Sequence, residues 1–418
     1  MSIFYNLSIS ATLFGLKAIS PFSKKINVWL KGRENWLEKL ETYQNKEERC
    51  NIWFHCASLG EYEQGKPVMQ AMKQAFPQVH ILVTFFSPSG YEARKNSNIA
   101  DYVGYLPADT EANASAFLET TKPKLAIFVK SEIWPNFISA LKTHKVPSFL
   151  ISARFYEGQS IFKKNRKFFR RQLKKFDFIF VQDKASQKIL KKHNIESVLA
   201  GDTRFDQVPQ LLQNKVAYPT VEAFIQKQNT LVVGSCWHED IEVLLPFIND
   251  ISNTTKIILA PHDVSEKMIK EIEKKLKVPF ERYSQANIST NWTNIKVLLI
   301  DNIGILANLY RYATVAYVGG AFKQGLHNIL EPAIYNIPVL FGPQTIGFPE
   351  AVEMIKSGGA FSIATHDELQ KILFDFFEDK NYRISIGNAN KAYMESKKGV
   401  TEKIMTNVRV LLTRRLEQ

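Results

Sequence analysis

The chain has 418 residues, too many for one ordinary hydrophobic core, so we expect two domains of roughly 150–200 residues. A composition of 45% hydrophobic and 23% charged residues is typical of a folded globular protein and excludes a disordered chain. The three cysteines cannot pair evenly and show no C-x-x-C spacing, which argues against a disulfide framework or a zinc site. The formal net charge of +13 favours anionic partners: nucleic acid, an anionic membrane surface or phosphorylated ligands.

Residues 1–35 form a hydrophobic segment that we expect to associate with a membrane. Its stretch Ile3–Phe22 is about 20 residues long, enough for a helix to cross a bilayer core of about 30 Å. Asn6 and Lys17 make it only moderately apolar, so it lies in the membrane plane or marginally spans it. A helix docked on the protein is the alternative, and a cleaved signal peptide is disfavoured because no basic region precedes the apolar run. A basic cluster follows and predicts that the main body lies on the cytoplasmic side: Lys24, Lys25, Lys31 and Arg33.

Short apolar runs alternate with amphipathic segments from Asn51 onward. A first series predicts strands at Ile52–Ala57, His80–Phe85, Leu125–Val129, Ser148–Ser152 and Phe178–Gln182. A second series predicts strands at Thr230–Gly234, Lys256–Ala260, Val297–Ile300, Val315–Gly319 and Val339–Gly342. Apolar strands separated by helix-length segments indicate parallel sheets with helices on both faces. We therefore predict an α/β protein of two doubly wound, Rossmann-like domains, 36–210 and 211–418, joined by the polar linker 207–228, with ligands at the carboxyl ends of the strands. The C-terminal helix of the second domain could pack back on the first domain.

The first acidic motif directly follows the predicted strand Ile52–Ala57. Ser58, Gly60 and Glu61 lie in a turn that leads into a helix N-terminus, where backbone N–H groups favour an anion or a carboxylate. Glu61 would stand at the open edge of the sheet, a good place for a general base. A role that only complements the helix dipole explains the same pattern equally well.

The second acidic motif follows the predicted strand Leu125–Val129. Glu132 lies there beside a Trp-Pro pair that restricts the loop. The alternative is a capping turn in which Ser131 caps a helix that has Pro135 in its first turn. Two carboxylates on successive strand ends favour a chemical role more than either one alone.

A basic stretch at Lys163–Lys175 comes after Arg154, which follows the next predicted strand. Within it, Phe168, Phe169 and Leu173 would line one helical face while lysines and arginines cover the rest. This pattern suits an anionic membrane surface or a phosphorylated lipid, and a solvated basic helix face is an equal alternative. Nucleic acid is the weaker interpretation, since no nucleic-acid module accompanies the charge.

The sharpest pattern lies in the second half of the chain. Gly319 and Gly320 close a predicted strand, and His327 and Asn328 open what should be a helix. Glycines let the backbone approach a phosphate, and a helix N-terminus supplies donors and positive potential. Glu331, one turn later, can accept from both hydroxyls of a ribose.

Two smaller motifs also follow strands of the second series. Ser235 and His238 come after its first strand, and Pro261 and His262 come after its second. The histidines would face a ligand, although histidines at loop edges are more often structural or solvated. No D-x-D pair is present, so neither a metal nor another cofactor is predicted.

In this order, these motifs resemble the Kdo (3-deoxy-D-manno-octulosonic acid) transferases of lipopolysaccharide synthesis. The matching stretches are ASLGEYEQGKP, TFFSPSGYE, KSEIWPNF, SARF, GDTRFD, GSCWHEDIE and VGGAFKQGLHNILEPAIYNIPVLFGP. The resemblance implies a GT-B fold, with the donor on the C-terminal domain and the acceptor on the N-terminal domain, facing a central cleft. It implies transfer of Kdo from CMP-Kdo to a hydroxyl of the lipid A precursor lipid IVA, with inversion and without a metal, at the cytoplasmic face of the inner membrane.

The resemblance also implies roles for individual residues. Glu61 would be the general base and Glu132 would assist near the reacting centre. Anionic parts of the substrates would meet Arg154 and Arg204, the phosphate would meet Gly320, His327 and Asn328, and the ribose would meet Glu331. The implied substrate-binding set is completed by Ser58, Gly60, Ser235, Pro261, His262 and Gly319.

The chain departs from the family pattern at three places. Ala321 stands where the family commonly has serine, His262-Asp263 where it has Arg-His, and Asp202 where it has asparagine. These departures put individual contacts in doubt. A UDP-sugar transferase or epimerase of the same fold remains one alternative, and a non-catalytic, membrane-bound lipid-phosphate-binding protein another.

Overall fold

The computed structural model describes residues 2–44, 49–213, 216–251 and 254–416, which form two compact units. The first unit comprises Met1–Gln207 and Gly399–Gln418, and the second comprises Val208–Lys398. Each contains a seven-stranded sheet whose paired strands all run parallel. The predicted α/β class with two Rossmann-like domains is confirmed.

The sheet of the first unit has the strand order β3-β2-β1-β4-β5-β6-β7. Its strands are β1 (Cys50–Cys56), β2 (Val79–Phe85), β3 (Tyr102–Tyr105), β4 (Leu125–Val129), β5 (Ser148–Ala153), β6 (Phe178–Val181) and β7 (Val198–Leu199). The chain order reverses between β1 and β4, which lie side by side with Phe54 opposite Ile127. In such sheets the crevice for ligands opens at the carboxyl ends of the strands at this reversal.

Helices cover both faces of this sheet. They are α1 (Ser2–Ile19), α2 (Lys24–Gly32), α3 (Trp36–Gln44), α4 (Leu59–Ala75), α5 (Pro88–Arg94), α6 (Glu111–Thr121), α7 (Pro135–Thr143), α8 (Lys167–Leu173), α9 (Lys184–Lys192) and α10 (Arg204–Gln207). In β1, Trp53 packs into the apolar cluster on one face, while Ile52 and Phe54 pack into the cluster on the other. Burial on both faces explains why the strands read as continuous apolar runs.

Helix α1 forms where the sequence predicts a hydrophobic helix. Tyr5 fixes it to the first unit: its hydroxyl donates to the Asp109 carboxylate at 2.6 Å, and its ring contacts Phe168 and Phe169. Phe4 and Phe14 remain largely exposed. Within the described residues, no helix is both long enough and apolar enough to pass through a membrane. Membrane association of this segment stays a prediction.

The second unit has the strand order β10-β11-β9-β8-β12-β13-β14. Its strands are β8 (Asn229–Cys236), β9 (Thr255–Pro261), β10 (Phe280–Arg282), β11 (Val297–Leu299), β12 (Val315–Val318), β13 (Val339–Phe341) and β14 (Ala360–Ser362). Its helices are α11 (Gln210–Gln213), α12 (Pro219–Ile225), α13 (His238–Asn249), α14 (Glu266–Lys275), α15 (Leu306–Leu309), α16 (Leu330–Ala333), α17 (Pro349–Lys356), α18 (His366–Glu378) and α19 (Lys380–Ser396). The order reverses between β8 and β12, with Val232 opposite Ala316.

The predicted linker differs from the sequence-based expectation, whereas the last helix packs back on the first unit as the sequence analysis allowed. The predicted linker 207–228 begins at the boundary between the two units, but it contains α11 and α12, and α12 buries Val221 and Phe224 in the second unit. The last helix, α20 (Val400–Leu416), belongs to the first unit, where it packs against α4. Its buried residues include Val408 and Leu412.

Candidate active site

Glu61 is held in a buried turn at the carboxyl end of β1. Ser58 caps α4 by accepting a hydrogen bond from the Glu61 backbone N–H at 3.4 Å. The Glu61 carboxylate folds back and accepts a hydrogen bond from the Ala57 N–H, and only 7% of the residue is exposed. Gly60 lies on the exposed side of this first turn. This geometry therefore fits both interpretations of Glu61, the carboxylate that complements the helix dipole and the general base at the sheet edge.

The environment of Glu61 changes its acidity. Burial and, after it, the negative charge of Glu132 raise the pKa of Glu61 to about 8, while the Ala57 N–H and Lys130 act in the opposite direction. A carboxyl group of ordinary pKa is a weak proton acceptor at neutral pH. A general base works best with a pKa near the working pH, and Glu61 meets that requirement.

Glu132 lies at the end of β4, next to β1 in the sheet. The Trp134 indole N–H donates to its Oε2 at 2.8 Å, and His55 Nε2 lies 3.5 Å from the same oxygen. The structure thus brings the two predicted carboxylates to one sheet edge, near enough for the charge of Glu132 to influence Glu61.

The predicted capping role of Ser131 is wrong. Its hydroxyl donates to the Arg154 carbonyl at 3.1 Å, because the chain between β4 and α7 turns toward the end of β5. Pro135 does occupy the first turn of α7, but the free N–H groups of Asn136 and Phe137 donate to Asp109 instead.

Behind Glu132 lies a polar group that sequence reasoning missed. His55 is fully buried in β1, and its Nδ1 lies 2.9 Å from the Thr84 hydroxyl. The Trp53 indole N–H donates to the same hydroxyl at 2.8 Å. The only available signal was a histidine inside an otherwise apolar strand, and such a residue is usually structural.

The two predicted arginines each have an acidic neighbour. Arg154 Nε lies 3.8 Å from the Asp183 carboxylate. Arg204 donates to one oxygen of Asp202 through Nε at 2.9 Å and through a terminal nitrogen at 2.7 Å. Both arginines remain partly exposed. The departure at Asp202 thus supplies a direct counter-charge to Arg204.

A cavity of about 320 Å³ lies beside Glu132 in the first unit. Glu132, Ser131 and Trp134 form part of its wall, and Arg166 and Phe169 of the basic stretch form another part. Leu173, predicted to share a face with the phenylalanines, is instead buried in the core. A cavity with a carboxylate at one side and an arginine at another suits a polar, anionic molecule that carries hydroxyl groups.

In the second unit, the glycine turn after β12 is tightly constrained. A Cβ on Gly319 would lie 2.5 Å from the Ser235 carbonyl oxygen and from Cys236 Cα, so no side chain fits. Gly320 has φ +96°, and a Cβ there would lie 2.3 Å from the Gly325 carbonyl oxygen. Both glycines are buried, and their backbone N–H groups donate within the protein, that of Gly319 to the Gly234 carbonyl and that of Gly320 to Asp240, so the turn is glycine-rich because it is tightly packed.

Asp240 organises this turn and was missed by the sequence analysis. One carboxylate oxygen accepts from the Trp237 N–H at 2.8 Å and from the Gly320 N–H at 2.9 Å. The other accepts from the Tyr317 hydroxyl at 2.9 Å. Asp240 is fully buried, and burial raises its pKa above the usual range. This carboxylate ties the β8–α13 connection to the turn after β12.

His327 and His262 stack with an indole that the sequence analysis left without a role. The Trp237 indole N–H donates to His327 Nε2 at 3.0 Å. The ring of His262 stacks on Trp237, with centroids 4.3 Å apart, and on His327, with centroids 4.7 Å apart. His238, the other predicted histidine, lies instead on α13 within 3.3 Å of Glu242 and Glu271.

The predicted helix after His327 is much shorter than expected. It is α16, four residues long, and begins at Leu330. The prediction of a helix N-terminus at 327–328 is therefore wrong, because the helix begins only at Leu330. Asn328 donates to the Glu331 carboxylate at 3.0 Å, which keeps these two residues together.

The remaining predicted residues lie at the ends of β8 and β9. Ser235 is partly buried with φ +52°, and Pro261 is buried opposite Cys236. Among the described residues, no cluster of three or more histidine, cysteine, aspartate or glutamate side chains has an arrangement that could hold a metal ion.

Comparison with known proteins decides the family. The family profile described as 3-Deoxy-D-manno-octulosonic-acid transferase (kdotransferase) matches residues 34–207. The 3-deoxy-D-manno-octulosonic acid transferase of Aquifex aeolicus is 30% identical over 79% of this chain and 88% of its own length. The chain belongs to the Kdo transferase family. The enzyme of Haemophilus influenzae with the same name is 26% identical over 87% of each chain.

Solved structures of this Kdo transferase's fold include UDP-N-acetylglucosamine 2-epimerases. The UDP-GlcNAc 2-epimerase of Neisseria meningitidis has a TM-score of 0.61 and 16% identity, and the match covers 87% of this chain and 100% of that chain. The putative UDP-N-acetylglucosamine 2-epimerase of Listeria monocytogenes has a TM-score of 0.60 at 13% identity, over 88% of this chain and 98% of that chain. These similarities show the GT-B fold alone. As a Kdo transferase, the protein is a glycosyltransferase that transfers Kdo in lipopolysaccharide biosynthesis.

Proposed function

We propose that this Kdo transferase takes Kdo from CMP-Kdo and attaches it to a hydroxyl of a lipid A precursor such as lipid IVA, with Glu61 as the general base. The observation that carries the proposal is a buried carboxyl group with a pKa of about 8 at the sheet edge, next to a second carboxylate. Glu61 accepts the proton of the acceptor hydroxyl while the new bond from that oxygen to the anomeric carbon forms. The acceptor oxygen attacks from the face opposite the phosphate, the bond from the anomeric carbon to the phosphate oxygen breaks, and CMP leaves with the electron pair, so the configuration inverts.

Glu132 acts beside Glu61 without taking the proton itself. The Trp134 N–H and the nearby His55 ring lie at the same oxygen of Glu132, so its negative charge is already met by protein groups. That charge raises the proton affinity of Glu61. In this assignment Glu132 tunes the base, and the cavity beside it receives part of the acceptor.

The donor is assigned to the second unit. We assign the phosphate to the polar side chains of His327 and Asn328 beside the glycine turn. Glu331, which accepts a hydrogen bond from Asn328, would accept from the ribose hydroxyls in this assignment. Preorganised donors around a leaving phosphate are typically the largest catalytic effect, and Asp240 holds this turn in place before any ligand arrives. We propose that no metal takes part, since the sequence lacks a D-x-D pair, and undiminished turnover in EDTA would support this.

Glu61→Gln tests the base assignment. Removing the base while keeping the shape should lower kcat by about 10²–10⁴-fold. CMP affinity, measured by calorimetry, should stay unchanged because the donor residues are intact. The assay incubates purified protein with CMP-Kdo and a tetraacylated disaccharide bisphosphate. Mass spectrometry then identifies the product by its mass.

Glu63→Gln on the same helix is the matched control. Glu63 pairs with Arg94 and accepts from Gln207, so its loss should leave transfer nearly intact. Equal losses in the two variants, or a parallel loss of CMP affinity in Glu61→Gln, would remove Glu61 from the base role. Turnover of UDP-sugars with indifference to CMP-Kdo would overturn the donor assignment.

The membrane location is also proposed: the cytoplasmic face of the inner membrane, held by α1 and the basic stretch. Two observations support it. Phe4, Phe14 and Phe22 are largely exposed, and Tyr5 packs against Phe168 and Phe169, which places α1 beside the basic stretch. Apolar side chains next to lysines and arginines are typical of binding to an anionic membrane surface.

A further inference from the structure

The stacked rings of Trp237, His262 and His327 form an ordered group that the proposed chemistry does not explain. The Trp237 and His327 rings lie within 11° of coplanar, with centroids 6.4 Å apart, joined edge to edge by the N–H to Nε2 hydrogen bond of 3.0 Å. His262 stacks on both rings. It therefore covers one face of the hydrogen-bonded pair and shields this bond from water.

The hydrogen bond from Trp237 determines where His327 carries its proton. An indole nitrogen only donates, so His327 Nε2 must present its lone pair. Burial, followed by the neighbouring His262, lowers the pKa of His327 to about 4, so the ring is neutral at physiological pH. A neutral imidazole whose Nε2 accepts must hold its one proton on Nδ1.

The Nδ1 edge of His327 is the one left for a ligand. The Cδ2 edge faces Gly320, where a Cβ would lie only 3.0 Å away. Nε2 faces the Trp237 indole. Within the ranges that the structure describes, Nδ1 has no hydrogen-bond partner, and the ring is only partly buried. Nδ1 lies on the side of the ring away from the Cδ2 edge that faces Gly320, so a ligand at this nitrogen would meet the N–H donor without passing the glycine turn.

We propose that Trp237 is a positioning residue that fixes His327 as its Nδ1–H tautomer and so presents this N–H to a phosphate oxygen of the sugar nucleotide. The proposal rests on the donor assignment made above for the second unit. Without the indole N–H, a neutral histidine returns toward the Nε2–H form, which is ordinarily preferred in water. The Nδ1 lone pair would then face the anionic phosphate oxygen, and His327 would repel this oxygen instead of donating a hydrogen bond to it.

The tautomer is measured directly on the ligand-free, full-length wild-type protein. Long-range ¹⁵N–¹H spectra of ¹⁵N-histidine-labelled protein distinguish the two ring nitrogens, and comparison with His327→Gln assigns the signals. We expect the proton on Nδ1 in the wild type and a shift toward Nε2 in Trp237→Phe, which keeps an aromatic ring but removes the donor. A wild-type His327 protonated on Nε2 would overturn the proposal even if the variant does not fold.

Binding of CMP alone provides the functional readout. Losing one hydrogen bond to a charged oxygen should weaken the CMP Kd by about 10-fold or more in Trp237→Phe, with a matching rise in the donor KM and a smaller change in kcat. Trp292→Phe is the matched control, because Trp292 is buried in the same unit and its indole N–H has no partner among the described residues. It should leave both the tautomer and the CMP affinity unchanged.

The outcomes separate this inference from the proposed function. A wild type that shows the Nδ1–H tautomer but does not bind CMP would overturn the donor assignment and leave the role of Trp237 in the tautomer standing. Normal CMP affinity in Trp237→Phe, or an equal loss in Trp292→Phe, would overturn the positioning role itself.

Discussion

At the scale of single residues, Glu61 faces two opposing demands. It must lose its proton to act as a base, yet burial and the charge of Glu132 favour the protonated form. With a pKa of about 8, the carboxyl group is mostly protonated at pH 7, and only the minority ionised form can accept a proton from the acceptor. This compromise suits general base catalysis, since a more acidic carboxyl group would be ionised more often but would bind the transferred proton less strongly.

The pH dependence of transfer should reveal this compromise. In the wild type, kcat/KM should rise with pH up to about 8, because only the ionised form of Glu61 is active. Glu132→Gln removes a negative charge that raises the pKa of Glu61, so the acid limb should move to lower pH, whatever happens to the maximal rate. Rates of Kdo transfer measured from pH 5 to 10 check this.

The charged groups that act on Glu61 include Lys130 as well as Glu132, so Lys130 must stay unchanged in this comparison. Glu63→Gln is the control, and its acid limb should coincide with that of the wild type. An acid limb in Glu132→Gln that stays in place or moves to higher pH would contradict the electrostatic role of Glu132.

The same residues show which parts of a site can be predicted from sequence. Glu61 and Glu132 were predictable because carboxyl ends of neighbouring parallel strands meet at one sheet edge. His55 and Asp240 were not, because their partners come from distant parts of the chain: Thr84 for His55, and Gly320 and Tyr317 for Asp240. A buried polar residue shows its role only once its hydrogen-bond partners are known.

At the scale of elements, sequence reasoning found the strands that are buried on both faces of a sheet. These strands have continuous apolar runs. The strands that sequence reasoning missed include β3, β7, β10 and β14, which are short and lie at or near the sheet edges. They are also only partly buried, so their sequences lack the continuous apolar run of a strand that is covered on both faces. Helix α16 shows the opposite error: His327 and Asn328 were expected to open a full helix, but only four residues take the helical form.

Charge reversal in the basic stretch tests whether this stretch and α1 bind the membrane. Changing Lys163, Lys164, Arg166 and Lys167 to glutamate should release the protein from anionic vesicles, since each basic residue near such a surface contributes about 1 kcal/mol. Phe14→Ser is added to this variant because it reduces the exposed apolar surface of α1. The vesicle partition coefficient of the combined variant should fall by more than 100-fold. Flotation with vesicles of defined anionic lipid content measures it.

The matched control reverses four exposed lysines of the second unit: Lys267, Lys274, Lys371 and Lys391. Because it changes the net charge by the same amount, it separates a located binding surface from a general effect of the positive charge. Equal release of the two proteins would contradict a membrane surface formed by α1 and the basic stretch, and unchanged flotation of the first variant would exclude the stretch from binding.

At the scale of the whole molecule, the chain does not simply form one unit and then the next. After α19 it returns to the first unit, where α20 buries Val400, Ile404, Met405, Val408 and Leu412 beside the apolar face of α4. The sequence analysis placed 211–418 in the second domain and left open that its C-terminal helix packs back on the first, because periodicity shows that a helix has an apolar face but not which distant surface covers it.

Because α20 packs in the first unit, a substitution near the C-terminus should destabilise the first unit. Leu412→Ala removes a fully buried side chain, so unfolding of the first unit should become easier by about 2–5 kcal/mol, through lost burial and the cavity left behind. Val410→Ala, on the same helix and 55% exposed, should change stability by less than about 0.5 kcal/mol. A chain of two units need not unfold in one step, so amide hydrogen exchange is the suitable measurement. Protection should fall in β1 and β4 but not in β8, and a loss confined to β8 would show that α20 stabilises the second unit instead.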